Sequence, residues 1–146
     1  MNTRPKKILV LCTGNSARSQ MAEGLLQYIC GDAYVVASAG THPSSVRPEA
    51  IKALAELGID ISQNRSKSVD EFAGQEIDYV LTVCDNAKEN CPYFPARTRL
   101  VHHAFDDPAV VEGDEETRLS AFRRVRDEIS DYLRSEYSQI IGLGPK

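Results

Sequence analysis

At 146 residues the chain is sized for a single domain, 1–146, with a core of its own, and its 42% hydrophobic and 26% charged content is ordinary for a globular protein. Its formal charge of −4 comes without a basic stripe, so binding to a nucleic-acid backbone is not expected. No run approaches the roughly 18 apolar residues of a membrane span, and the apolar stretch behind the basic opening MNTRPKK is too short for a signal peptide, so the expected location is cytoplasmic, with no membrane partner.

In chain order, KKILVLC (6–12) is a β-branched and leucine run ending in a polar loop, the pattern of a fully buried parallel strand. RSQMAEGLLQYIC (18–30) then places Met21, Leu25, Tyr28 and Ile29 at helical spacing. YVVASAG (34–40) predicts a second strand, and RPEAIKALAELG (47–58) a helix with Pro48 in its first turn and Gly58 at its end. SVDEF (68–72) reads as a short helix capped by Ser68, followed by strands at IDYVLTVC (77–84) and TRLVHHAF (98–105). A long helix from residue 115 to about 138 carries Leu119, Phe122, Val125, Ile129, Tyr132 and Leu133 on one face, and the tail IIGLGPK is expected to fray. Alternating strands and helices predict an α/β domain of the doubly wound kind, with a four-stranded parallel sheet.

Open α/β sheets bind ligands at the carboxyl ends of their strands, which is where CTGNSARS (12–19) lies. With a helix starting near Ala17 or Arg18, its first N–H groups and the amides of Gly14, Asn15 and Ser16 can curl around one anion. Gly14 and Asn15 tolerate the backbone angles such a curl requires. Arg18 adds a planar fork for two oxygens of a tetrahedral oxyanion. Cys12 lies at the base of this cradle, whose positive surroundings favour its thiolate, and Ser19 can donate a hydrogen bond to the sulfur. The expected substrate-binding residues are therefore Thr13, Gly14, Asn15, Ser16, Ala17, Arg18 and Ser19, around a Cys12 nucleophile. Read blandly, Cys12 would be a small buried hydrophobe and Arg18 a surface residue.

The motifs VLCTGNSARSQMAEG, SAGT, PEAIKALAELGIDIS, DYVLTVCDNAKENCP, HHAFDDPA and FRRVRDEI run in an order that resembles the low-molecular-weight protein tyrosine phosphatase superfamily, specifically its thioredoxin-coupled arsenate reductases. The resemblance covers nearly the whole chain and implies a relay of three thiols. Cys12 would attack arsenate, Cys84 would attack the adduct and expel arsenite, and Cys91 would resolve the Cys12–Cys84 disulfide. The remaining Cys84–Cys91 disulfide would be returned to dithiol by thioredoxin. For this relay the segment DNAKEN (85–90) is expected to rearrange on oxidation. Asp107, before Pro108, would be the general acid, with Asp106 the weaker candidate. The phosphatases carry an aromatic residue after that proline, where this chain has Ala109, which favours a small inorganic oxyanion over an aryl phosphate. The alternative within the family is a tyrosine phosphatase working through a Cys12 phosphoenzyme. Outside it stands a thiol sensor or oxyanion-binding module without turnover.

Other readings of the same residues carry less. Cys84 and Cys91 could be one packed and one incidental thiol, or half of a zinc site with His102 and His103, although neighbouring residues on a strand face opposite ways. Many arsenate reductases of this type have a further cysteine at the place of Ala17, but it takes no part in the relay. Some members bind potassium through the equivalents of Asn15, Glu23, Ser38 and the segment RSKS (65–68). Arg65 and Lys67 put positive charge there, so neither a metal nor a cofactor is expected, and one of these cations could take the ion's electrostatic role. Cys30 is expected in the core and His42 in a solvated loop. Arg123 with Asp127, and Arg124 with Glu128, are expected to pair along one helix face.

Overall fold

The computed structural model describes residues 5–84 and 93–143. Four parallel strands, β1 (Lys6–Cys12), β2 (Tyr34–Gly40), β3 (Tyr79–Thr82) and β4 (Arg99–His102), form one sheet in the order β2-β1-β3-β4. The first two end where the apolar runs end. The last two are shorter than their runs, since β3 pairs with β1 on one side and β4 on the other over Tyr79–Thr82 alone. After β1 the chain builds outward to β2 and then returns to β3 on the other side of β1. The order of connection therefore reverses at β1, and the carboxyl end of a strand at such a switch point is where open α/β sheets bind ligands.

The pleat divides the core. Ile8 and Val10 of β1 and Leu81 of β3 face the helices α1 (Arg18–Cys30), α2 (Pro48–Ala55) and α3 (Glu115–Tyr132), in a cluster holding Leu25, Leu26, Leu54, Phe122, Val125 and Ile129. Leu9, Leu11 and Val80 face the other way, against Ile77, Phe94 and the 3₁₀ turn Val69–Phe72, which Ser68 caps as expected by accepting from the Asp70 N–H. α1 and α2 approach closely at Gly24, where an added Cβ would lie 2.6 Å from Leu54 and 2.8 Å from Ile61. Cys30 is packed in the core at 7% exposure. Among the described residues no helix is long and apolar enough to cross a membrane.

Three expectations need correction. Tyr28 stands 64% exposed at the margin of the apolar face of α1, so the buried stripe is Met21, Leu25, Leu26 and Ile29. The last helix does not run unbroken to residue 138: α3 ends at Tyr132, a π turn follows over Leu133–Tyr137, and a final turn spans Ser138–Ile140. The widened turn keeps Leu133, Tyr137 and Ile141, spaced by four, all inside the core. Arg123 does not pair with Asp127; it forks onto Glu56 at the end of α2, at 2.7 Å, and onto Glu116 at 2.9 Å. Asp127 is taken by Arg126, while the Arg124–Glu128 pair forms as expected at 2.8 Å.

Candidate active site

The loop after β1 is fixed by its smallest neighbour and its most buried amide. Gly40, opposite Cys12 in the β1–β2 register, leaves room for the loop to lie directly on the β2 backbone. A Cβ there would sit 2.4 Å from Thr13 O and 2.8 Å from Cys12 O. Asn15 is the single non-glycine residue with positive φ among the described residues, at 47°, and it is fully buried. The left-handed backbone turns the loop back on itself, and asparagine accepts that conformation at low cost.

Every polar atom of the Asn15 side chain is used. Nδ2 donates to Ser19 Oγ at 2.8 Å and to Ser38 Oγ at 2.9 Å. Oδ1 accepts from Gln20 Nε2 and from the Lys67 backbone N–H, both at 3.0 Å. Ser19 Oγ, accepting from Asn15, has its own proton free for Cys12 Sγ at 2.9 Å. The chain of bonds therefore points one hydroxyl at the sulfur. α1 starts at Arg18 without a side-chain cap, so its first turn directs N–H groups that have no partner within the helix, and the positive end of the helix dipole, towards the loop. His42, expected in a loop, is exposed, but its backbone N–H donates to Thr13 O at 2.9 Å and ties the β2–α2 loop to the candidate site.

Arg18 is 4% exposed, and its guanidinium faces the segment before α3. Nη1 donates to Phe105 O at 3.3 Å, and Nη2 lies 3.6 Å from Asp107 Oδ2. Asp107 Oδ1 accepts from Ala109 N–H at 2.9 Å, which starts a 3₁₀ turn at Pro108 and holds the carboxylate towards Arg18. Asp106 turns the other way, to the exposed Arg124 at 3.3 Å.

Cys84 is fully buried, in the same apolar cluster as Cys12. Val83 N–H donates to Leu11 O at 3.0 Å, so the residues after β3 leave the sheet level with those after β1. Cys84 is disulfide-bonded, whereas Cys12 and Cys30 are not. Cys91 and the segment 85–90 lie outside the described residues. Among the described residues no three His, Cys, Asp or Glu side chains converge as metal ligands. His102 Nδ1 is instead engaged with Thr82 Oγ1 at 2.6 Å, and the His103 ring lies against Tyr132 with centroids 4.0 Å apart. Behind the loop, Glu23 accepts from Ser38 Oγ at 2.6 Å and faces Lys67 electrostatically. Burial pushes the Glu23 carboxyl above its ordinary range, against the opposing pull of Ser38 and Lys67. Arg65 turns outward to Glu71.

Residues 7–140 match the family described as low molecular weight phosphotyrosine protein phosphatase. The chain belongs to that family. Within it the chain resembles arsenate reductases: it is 47% identical over 130 residues to one from Halalkalibacterium halodurans, covering 89% of this chain and 94% of the relative. One from Bacillus subtilis is 45% identical over 129 residues, covering 88% and 93%. A solved arsenate reductase in its oxidized state superposes with a TM-score of 0.76 at 29% identity, covering 92% of this chain and 98% of that one. Two residues that help to hold the family's loop in this chain were absent from the site read off the sequence, Gly40 and Gln20; Ser38, grouped with Asn15 there only as an equivalent of potassium ligands, accepts from it directly at 2.9 Å. Of these, the glycine of SAGT carried a local signal, a strand-terminal glycine one turn of sheet away from a curled loop.

Proposed function

We propose that the chain is a cytoplasmic arsenate reductase that works by a relay of Cys12, Cys84 and Cys91, with thioredoxin as the source of electrons. Its relatives at 45–47% identity support reduction of arsenate as the overall reaction. The observation that carries the finer reading is the pairing of a free Cys12 thiol with a disulfide-bonded Cys84 just past the neighbouring strand. Such a relay leaves that arrangement after arsenite is expelled, before thioredoxin restores the dithiol.

In the first step arsenate sits among the amides of residues 13–19 with two oxygens on Arg18, and the Cys12 thiolate attacks arsenic. An oxygen leaves as water, its proton supplied by Asp107. In the second step the Cys84 sulfur bonds to the Cys12 sulfur, and the sulfur–arsenic electron pair departs with arsenic as arsenite, so two thiols are oxidised while As(V) becomes As(III). Cys91 then attacks Cys84, restoring Cys12 and leaving a disulfide that the thioredoxin dithiol reduces. Ala109, partly buried against the core, offers no aromatic wall for a phenyl ring, which supports an inorganic oxyanion as substrate.

The test is arsenate-dependent NADPH oxidation with thioredoxin and its reductase, run beside hydrolysis of an aryl phosphate. Cys12→Ser should abolish both, and Cys84→Ser the first alone. Arsenate turnover that survives Cys84→Ser would refute the relay, and aryl phosphate hydrolysis without arsenate turnover would leave a phosphatase in its place.

A further inference from the structure

The segment that carries Asp107 is grasped at intervals of four residues by three arginines, two from distant parts of the chain and one from the helix that follows it. Arg18 holds Phe105 O at 3.3 Å, Arg47 Nη2 donates to Ala109 O at 3.2 Å, and Arg118 Nη1 donates to Gly113 O at 2.6 Å. The first two bracket Asp107 by two residues on either side. Arg47 is also anchored to the anion loop, because its backbone N–H donates to Ser16 O at 2.9 Å. One residue therefore touches both sides of the candidate site: main chain on the loop that holds the oxyanion, side chain on the segment that supplies the acid. Glu49, in the first turn of α2, attracts Arg47 electrostatically, while its Oε2 accepts from Arg118 at 3.1 Å.

We infer that Arg47 is a positioning residue: it clasps the Asp107 segment to the Cys12 loop and thereby sets where the acid meets the oxygen that departs from arsenate. The inference rests on the reading of Asp107 as the proton donor. Ala109 N–H and Asp107 Oδ1 are bonded at 2.9 Å, so a shift of the Ala109 peptide is passed straight to the carboxylate. Arg18 holds the segment on one side, at Phe105 O and at the Asp107 carboxylate itself, and Arg47 holds it on the other, at Ala109 O. Arg47 is partly exposed at the rim, and it acts through Asp107 instead of on the anion.

The experiment is a single turnover: reduced protein is mixed with excess arsenate and arsenite is measured against time, which isolates the steps before thioredoxin. Arg47→Ala should lower the limiting rate about tenfold and leave the half-saturating arsenate concentration within about twofold. Arg47→Lys, which can still reach a carbonyl, should recover the rate to within about threefold of the unaltered protein. Asp107→Asn should cost about a hundredfold, and Arg47→Ala added to it should cost nothing further, because the clasp then has no acid to place. A half-saturating concentration raised tenfold at unchanged limiting rate would make Arg47 an anion-binding group and overturn the inference. So would a double variant slower than Asp107→Asn by the same tenfold, or Arg47→Lys as slow as Arg47→Ala. An unimpaired Asp107→Asn would instead refute the acid assignment itself, and the clasp with it.

Discussion

Replacing Gly40 with alanine tests whether the anion loop depends on direct contact with the β2 backbone. The new methyl would stand 2.4 Å from Thr13 O, 2.8 Å from Cys12 O and 3.0 Å from Asn15 N. Ordinary contacts of this kind begin near 3.4 Å, so the loop and the strand must separate by about 1 Å. All three neighbours are backbone atoms, and no rotamer change relieves them. Nor can β2 retreat, since Gly40 N–H is bonded to Lys67 O at 3.0 Å and the glycine bridges to Ser68 on its other side. The displacement must therefore fall on residues 12–15, which carry the proposed nucleophile Cys12 and the first amides of the proposed anion cradle. Overpacking of this kind costs about 1–3 kcal/mol. A displacement of about 1 Å at the reacting atoms costs about a hundredfold in rate. Urea denaturation followed by circular dichroism should show the first effect, and arsenate turnover the second, in protein that is still folded. Turnover within twofold of the unaltered protein, with an unchanged denaturation midpoint, would refute the argument that the loop is seated on Gly40.

Two further outcomes follow from buried polar groups. Among the described residues the Tyr137 hydroxyl is buried without a hydrogen-bond partner, and burial pushes its ionisation upward, so Tyr137→Phe should stabilise the fold by about 1 kcal/mol in urea denaturation; a loss of similar size would show that the hydroxyl is bonded. Glu23 has its carboxyl raised by burial, so its favourable contribution is complete below the unfolded-state value near 4.3 and is lost as pH rises through the higher folded-state value. Glu23→Gln does not titrate there, and its thermal midpoint should gain on that of the unaltered protein between pH 4 and pH 8. A difference that stays constant across that range, or shrinks, would contradict the burial argument.

How much of this was legible in the sequence depends on whether the deciding contact is local. β1 and β2 were read to the residue because each lies in a continuous apolar run closed by a turn, and both pair along their full length. The Cys12-to-Arg18 loop was legible because strand, small polar residues and helix follow one another directly. Helix ends and pairings were less so. Arg123 had a partner four residues away worth a few tenths of a kcal/mol, but Glu56 offered a bidentate fork from a helix 67 residues back in the chain. The Arg47–Ala109 bond spans 62 residues and leaves no periodic trace, so only the folded chain shows it. The role of Asn15 was half visible: its tolerance of a left-handed backbone could be read, while its partners Ser38 and Lys67 come from β2 and the segment before the 3₁₀ turn.

The fully bonded amide of Asn15 also bears on affinity. A tetrahedral oxyanion has five heavy atoms, and the most efficient small ligands gain about 1.5 kcal/mol per atom, a ceiling of about 7 kcal/mol. Ordering a seven-residue loop from a disordered state would consume about that much or more, at roughly 1–2 kcal/mol for each backbone unit. An ion so small is held only by a receptor already finished when it arrives, and on the function proposed for this loop the finishing is done from beneath, by a carboxamide whose polar atoms are all bonded to the protein.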